Sequence, residues 1–428
     1  MTYEEALAYL HSLSQFGFKP GLESTRRLAA LAGNPQDSLR FIHVAGTNGK
    51  GSVCAMLDAI HRAAGRRTGL YTSPHLVRFG ERIRVDGVPI PDGALARLVE
   101  RVRDLARTAQ PPIEPTFFEF TTVIALLWFL ECQVEIVLWE TGLGGRLDAT
   151  NIVTPLAAVV TQIGWDHMAV LGNSIAAIAA EKAGIFKPGV PALTSATDPD
   201  AVAILEYKAR EVGAPFLHVD ALAVNRFQLP LALLGEHQRT NAALAAATVR
   251  MLRFILPVSD DEMARGFATV EWPGRLQILR QGQRTFLLDG AHNRDGLESL
   301  KAALQGHFKG RPPTLILGML ADKPWRDMAR ELTPLVARVI TTPVSSSRTV
   351  SANDLKEACL AAGVPRPIRT TQSVGEALRA CVADPFVLVT GSLYLVGEAL
   401  EILGETRAAT GERALNEWTA PTPRVPSG

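Results

Sequence analysis

The sequence predicts an α/β protein in two parts, a larger unit built on a mostly parallel sheet and a smaller Rossmann-like α/β unit after it. Three observations carry this. Short apolar runs alternate with amphipathic helical patterns along most of the chain, as expected for strands joined by helical crossovers. The pattern resets near residues 277–293, where two strand-like runs flank a turn and a new helix opens. At 428 residues the chain is also too long for one ordinary domain, so two are expected.

In chain order, Phe41, Ile42 and Val44 form a β-type run that enters the turn Gly46-Thr47-Asn48-Gly49-Lys50-Gly51-Ser52. Val53, Met56, Leu57 and Ile60 recur at helical spacing, so a helix leaves that turn. Residues 68–72 read as a short strand before the polar loop Ser73-Pro74-His75, residues 117–130 as a helix and 135–139 as a strand. A buried strand is expected within 155–163, a helix at 175–183 and an alanine-rich helix at 236–253. Further strands are expected at 277–281 and 285–288 about the turn 281–283, then at 314–317, 339–342 and 386–389. The ATP-site unit is accordingly placed at residues 1–280 and the smaller unit at 284–405. Residues 406–428 form a partly disordered tail, since three prolines follow Thr419 without periodicity.

Composition narrows the function. Hydrophobic residues make up 47% of the chain and charged ones 20%, which describes a soluble globular protein with ample core. The net charge is +1 and basic residues occur only in scattered pairs such as Arg66-Arg67, so no nucleic-acid partner is expected. Cys54, Cys132, Cys359 and Cys381 lie far apart without a CxxC pair, which argues against zinc and disulfides and for a reducing compartment. The N-terminus lacks the basic start of a signal peptide, and the apolar run 123–130 is too short to cross a bilayer. A cytoplasmic protein without a membrane partner is expected.

The turn 46–52 has the parts of a phosphate-binding loop. Glycines let backbone N–H groups turn inward, the helix N-terminus favours negative charge, and Lys50 and Ser52 reach the β/γ-phosphates and Mg²⁺. The spacing departs from the strict P-loop, because two residues separate Gly46 from Gly49 and Gly51 intervenes between Lys50 and Ser52. An ordinary strand-to-helix turn is the bland alternative; lysine, serine and context together favour a nucleoside triphosphate. Glu140 ends an apolar strand before a second glycine-rich turn, and with Ser52 and phosphate oxygens it offers the hard donors magnesium prefers. His167 is a softer donor and reads by itself as a structural histidine. Lys182, beside Gly184 at a helix end, reads by itself as a solvated lysine. Arg275 precedes the boundary between the units and Asp289 and His292 follow it, so a cleft is expected there. Asp289 and Asn293 would serve equally well as helix caps. The residues lead to a two-domain protein using ATP and Mg²⁺, with the acceptor unnamed.

Ten segments in order then carry a resemblance: GTNGKGS at 46–52, TSPHL at 72–76, ERIRVDG at 81–87, GLGGRLDATN at 142–151, DH at 166–167, EKAGIFKPG at 181–189, HQRTNA at 237–242, WPGR at 272–275, DGAHN at 289–293 and GSLYLVGE at 391–398. Together they resemble the folylpolyglutamate synthase/dihydrofolate synthase family of the Mur ligase superfamily, from about Phe16 to Gly397. The resemblance implies that Asn48, Gly49, Lys50, Gly51 and Ser52 hold the ATP phosphates and that Asn241, Arg275 and Asp289 contact the nucleotide. It implies Ser73, Glu140 and His167 as magnesium ligands beside Ser52, in two sites. Lys182 matches a lysine carried as a carbamate, an anion able to help hold or orient the second metal. His292 is implied at the glutamate or the phosphoryl group, and Thr116, Phe118, Glu119, Leu147, Asp148 and Ala149 at the pteroate.

The implied activity is ATP-dependent joining of L-glutamate to dihydropteroate and to folates, through an acyl phosphate, by a monomer. The segment GGRLDATN looks more like the bifunctional bacterial enzymes; folylpolyglutamate synthesis alone is the alternative. Two departures stand out. Gly21-Leu22-Glu23-Ser24 replaces the GLER of many relatives, and Ser345-Ser-Ser-Arg348 replaces a shorter arginine-containing loop. A muramyl peptide ligase is disfavoured because only 45 residues precede Gly46. A non-catalytic ATP switch would have no need of Ser73, Glu140, His167 and Lys182 together.

Overall fold

Residues 1–13, 21–404 and 412–417 are described by a computed structural model of the chain, and two sheets organise them. The first contains β1 (Phe41–Ala45), β2 (Thr68–Tyr71), β3 (Ile83–Val85), β4 (Val88–Pro89), β5 (Ile136–Glu140), β6 (Ala157–Val160), β7 (Ala192–Thr194) and β8 (Phe216–His218). Their order is β4-β3-β2-β5-β1-β6-β7-β8, parallel from β2 to β8, with β2–β3 and β3–β4 antiparallel. β1 is central and buried at every position, as a parallel strand covered on both faces must be. Its side chains alternate between two cores. Phe41 packs with Tyr71, Phe129 and Trp139 on one face, while Ile42 and Val44 pack with Val53, Leu57 and Leu138 on the other.

The helix Lys50–Ala63 is buried from Ser52 to His61 because it is covered twice. The sheet lies on one side and the helix Asp260–Thr269 on the other. Gly266 allows that second approach, since a Cβ there would stand 2.5 Å from the Cα of Ile60.

The second sheet holds β9 (Gln277–Gln281), β10 (Arg284–Asp289), β11 (Thr314–Leu317), β12 (Arg338–Thr341), β13 (Ile368–Thr370) and β14 (Phe386–Thr390), in the order β13-β12-β11-β14-β10-β9. β9 pairs antiparallel to β10 and the other neighbours are parallel. β9 therefore belongs to this sheet, although a boundary at residue 280 would leave it in the first unit. The expected strands all occur; β9 and β11 have the expected bounds, and the others differ by one to three residues at one or both ends. The hairpin β3–β4 and the three-residue strands β7, β8 and β13 have no counterpart among the expected elements, being too short to show a period.

Residues 406–411 and 418–428 of the expected tail, like Phe16 and residue 405, lie outside the described residues. Between them, Glu412–Asn416 is a 3₁₀ turn docked on the first unit. Glu412 is fully buried and accepts hydrogen bonds from the Phe79 N–H (2.6 Å) and the Tyr3 hydroxyl (3.0 Å). Among the described residues no helix is long and apolar enough to cross a membrane.

Candidate active site

The carboxyl ends of parallel strands from both sheets face one cavity of about 730 Å³, the place where open α/β sheets bind ligands. Every residue singled out above as a candidate lines it, from Asn48 and Lys50 to Asp289 and His292.

The loop after β1 is shaped by close approaches that only glycine tolerates. Gly46 has φ 151° and a Cβ there would fall 1.8 Å from Thr161 Oγ1. Gly49 has φ 92° and a Cβ would meet Asn241 Oδ1 at 2.5 Å. Thr161 Oγ1 donates to the Asn48 carbonyl (2.7 Å), and the Thr47 N–H donates to the Gln162 carbonyl (2.8 Å), fixing the loop to the end of β6. Lys50 Nζ folds back onto the Gly46 and Thr47 carbonyls at 3.0 and 3.2 Å, so the ammonium already stands over the loop's mouth. Ser52 Oγ accepts from Gln238 Nε2 (3.2 Å), and Gln238 Oε1 accepts from Asn241 Nδ2 (2.9 Å). Helix Glu236–Met251 thus braces the loop through two side chains one turn apart.

Glu140, at the tip of β5, is buried and accepts from the Ser73 N–H at 2.9 Å. Burial pushes its carboxyl up to about 7, against Lys50 and that amide, which favour the anion. Lys182 is also buried, not solvated as its place at a helix end suggested, and Nζ donates to the Gly46 carbonyl at 2.8 Å. Burial first, then neighbouring Lys50, lower its pKa to about 7. His167 takes a left-handed backbone (φ 51°) and its side chain keeps 37% of its exposure, with Nε2 3.9 Å from Asp166 Oδ1. Desolvation still lowers His167 to about 4, leaving a neutral imidazole at pH 7.

From the second unit, Asp289 ends β10 with both oxygens engaged: Oδ2 accepts from the Leu276 N–H and Oδ1 from the Ala291 N–H, each at 2.9 Å. Burial raises its pKa while Arg275 opposes the rise. Arg275 Nη1 donates to the Gly274 carbonyl at 3.1 Å, and a Cβ on Gly290 would stand 2.6 Å from that nitrogen. His292 Nδ1 lies 2.7 Å from the Gly290 carbonyl, and burial, then Lys323, holds its pKa near 4.

The implied pteroate residues form the opposite wall, and part of their hydrogen bonding is local. Thr116 and Glu119 make a capping box for helix Phe117–Glu131, with Glu119 Oε2 accepting from the Thr116 N–H at 2.7 Å. Asp148 is buried, caps the turn Ala149–Ile152 through the Thr150 N–H and accepts from the Leu143 N–H at 2.7 Å. Phe118 lies under Gly142, where a Cβ would touch its ring at 2.5 Å. Leu147 and Ala149 line the same end.

Sequence reasoning passes over the contacts that join the two units, and over Lys323 and Asp295 altogether. Lys323, after β11, pairs with Asp166 at 2.9 Å, and Asn293 Nδ2 donates to Asn48 Oδ1 at 3.0 Å. Asn48 Nδ2 donates in turn to Asp295 Oδ2 at 3.2 Å. Burial opposes ionisation of Asp166, yet His167 and Lys323 outweigh it and hold the carboxyl well below its usual range. The available signal is position: Asp322-Lys323-Pro324 follows a strand's carboxyl end, and Gln238 sits three residues before Asn241 on one helix face.

Comparison with known proteins accords with this arrangement. Residues 44–213 match the Mur ligase middle domain and residues 274–393 the Mur ligase glutamate ligase domain. A Bacillus subtilis dihydrofolate synthase/folylpolyglutamate synthase is 35% identical over 92% of this chain and 98% of its own. The Mycobacterium tuberculosis folylpolyglutamate synthase, solved with ADP and AMPPCP, superposes with TM-score 0.86 at 31% identity, covering 95% of this chain and all of that one. Escherichia coli FolC, solved in complex with DHPP and ADP, gives TM-score 0.83 at 33% identity over 95% and 98% of the two chains. With that extent of identity, and with two Mur ligase domains meeting at the cavity, this chain belongs to the dihydrofolate synthase/folylpolyglutamate synthase family of ligases.

Proposed function

We propose that the protein joins L-glutamate to dihydropteroate and to tetrahydrofolate glutamates at the expense of ATP. The observation that carries this reading is convergence. The loop 46–52, the wall 116–119 and 147–149, and the Arg275–Asp289–His292 corner line one cavity, so that nucleotide, acceptor and glutamate meet without leaving it. The acceptor carboxylate attacks the γ-phosphorus, giving an acyl phosphate and ADP. The glutamate amine then attacks the acyl carbon, and phosphate leaves with the former carboxylate oxygen. Lys50 exchanges its loop carbonyls for phosphate oxygens and stabilises the charge that spreads over them. His292, neutral near pH 7 and with Nδ1 against the Gly290 carbonyl, leaves Nε2 to accept a hydrogen bond from the glutamate ammonium.

The donor set fits magnesium. Ser52, Ser73 and Glu140 offer oxygen, and a carboxyl driven up to about 7 by burial is one that an adjacent cation would return to its anion. His167, a nitrogen donor at the rim, fits this ion less well. Magnesium, when bound, neutralises phosphate charge. Lys182 meets the requirement for carbamylation, since a pKa near 7 leaves much of the amine neutral and able to add carbon dioxide with loss of a proton.

The test is ADP release with ATP, Mg²⁺ and L-glutamate, comparing dihydropteroate with tetrahydrofolate and identifying products by mass. Turnover with both acceptors is the expected result. Turnover with tetrahydrofolate alone would leave a polyglutamate synthase, and turnover with neither would defeat the reading. Lys50→Ala should lower kcat by about 10³-fold or more, in line with losing a principal electrostatic contact.

A further inference from the structure

Arg82 has no role in the reading above, yet it lines the cavity and is only 4% exposed. Its surroundings are unusual for a buried cation. Nε donates to His75 Nδ1 at 2.8 Å and Nη2 to Asn416 Oδ1 at 2.7 Å, both neutral acceptors. The guanidinium lies over the rings of Phe117 (5.2 Å) and Phe79 (6.0 Å). Among the described residues no carboxylate stands within 4.0 Å of it, whereas Arg78, Arg146 and Arg348 are each paired with one. A buried guanidinium without a counter-ion is expensive, and its planar fork matches a carboxylate.

Its location says which carboxylate. Phe117 opens the helix that carries Phe118 and Glu119 and is capped by Thr116, the wall proposed for the pteroate. Glu140, near enough to be affected by Arg82, marks the phosphoryl side. Arg82 thus lies between the aryl end of the acceptor and the reacting centre. A folate differs from pteroate in that stretch by one glutamyl unit, which adds a second carboxylate beside the one that reacts.

We infer that Arg82 binds the non-reacting α-carboxylate of a folate acceptor's terminal glutamate and thereby favours glutamylated acceptors. The inference rests on the proposed ligase activity. Asn416 and His75 act as positioning residues, holding the fork in place: His75 presents Nδ1 because its Nε2 is engaged by the Glu412 carbonyl at 2.9 Å. The docked C-terminal turn therefore helps aim an acceptor contact.

The experiment compares two acceptors in the full-length enzyme: tetrahydrofolate, and its analogue in which 4-aminobutyrate replaces glutamate, which keeps the reacting carboxylate and lacks the α-carboxylate. In Arg82→Gln, KM for tetrahydrofolate should rise at least tenfold while KM for the analogue changes less than twofold; Arg82→Lys should fall between. Melting temperatures of both variants report folding. An equal rise in KM for both acceptors would assign Arg82 to the reacting carboxylate or to structure and overturn the inference. A fall in kcat with both acceptors and KM unchanged would assign it to the phosphoryl group and overturn the inference as well. Wild-type enzyme inactive on both acceptors would defeat the ligase reading itself, a distinguishable outcome.

Discussion

Lys182 lies buried against the phosphate loop with Lys50 for a neighbour, and its amine titrates near 7 as a result. The sign of the consequence follows from linkage. Below about pH 7 folded and unfolded chains both carry the ammonium, and the folded one bears the burial penalty. Between about 7 and the ordinary lysine value the unfolded chain binds more proton, so stability rises with pH through that window. Lys182→Met removes the penalty. In buffer free of carbon dioxide it should therefore raise the melting temperature most near pH 6, and the gain should shrink steadily towards pH 9. A gain that stays flat across that range would show that the amine is not held low. In bicarbonate the wild type should recover stability that the methionine variant does not, because a carbamate would replace a buried cation with an anion near Lys50. Nothing in the local sequence foretells this burial: Ala180-Glu-Lys-Ala-Gly184 has the composition of a helix end in water, and the packing partner, Gly46, is 136 residues away.

At the scale of elements, the first strand, its turn and the following helix are legible because each has a local cause. The apolar run is unbroken, the glycines meet positive φ, and Val53, Met56, Leu57 and Ile60 keep one face. The strands β3, β4, β7, β8 and β13 are not legible, since two or three residues cannot show a period and only pairing with a longer neighbour defines them. The candidate site divides the same way. Motif residues at strand ends can be read in advance, whereas the Gln238–Ser52 brace, the Lys323–Asp166 pair and the Arg82–Asn416 bond join segments 157 to 334 residues apart and have no local cause to read. Gly49 tests the turn directly. Gly49→Ala places a Cβ 2.5 Å from Asn241 Oδ1 at φ 92°, so the Asn241 side chain, the helix 236–251 or the loop must shift. The strain of such a position is about 1–3 kcal/mol. We expect a melting temperature lower by several degrees and at least tenfold weaker ADP binding by calorimetry. Unchanged binding would mean that the loop tolerates the methyl group and does not depend on the Asn241 contact.

Over the whole molecule, the two sheets contribute to one cavity only while their facing loops stay together, and a small set of polar contacts spans the gap. Asn48 is tied to Asn293 and Asp295, and Lys323 to Asp166, the latter two with side chains only 11% and 15% exposed. Removing one partner of such a pair leaves a nearly buried charge, at about 3 kcal/mol against the apposed arrangement. On the proposed route closure would have a chemical purpose, because an acyl phosphate exposed to water hydrolyses and wastes the nucleotide. Lys323→Ala should therefore uncouple the enzyme before it stops it: ADP formed per glutamate joined should rise above one, and the radius of gyration in small-angle scattering should increase. Asp166→Asn should do the same, and the double variant should fall short of the sum of the singles, because the two changes break one interaction. Strictly additive effects, or coupling that stays at one ADP per product in both variants, would show that the pair does not hold the units together. The same experiment separates closure from chemistry, since a variant defective in phosphoryl transfer lowers ADP and product in step.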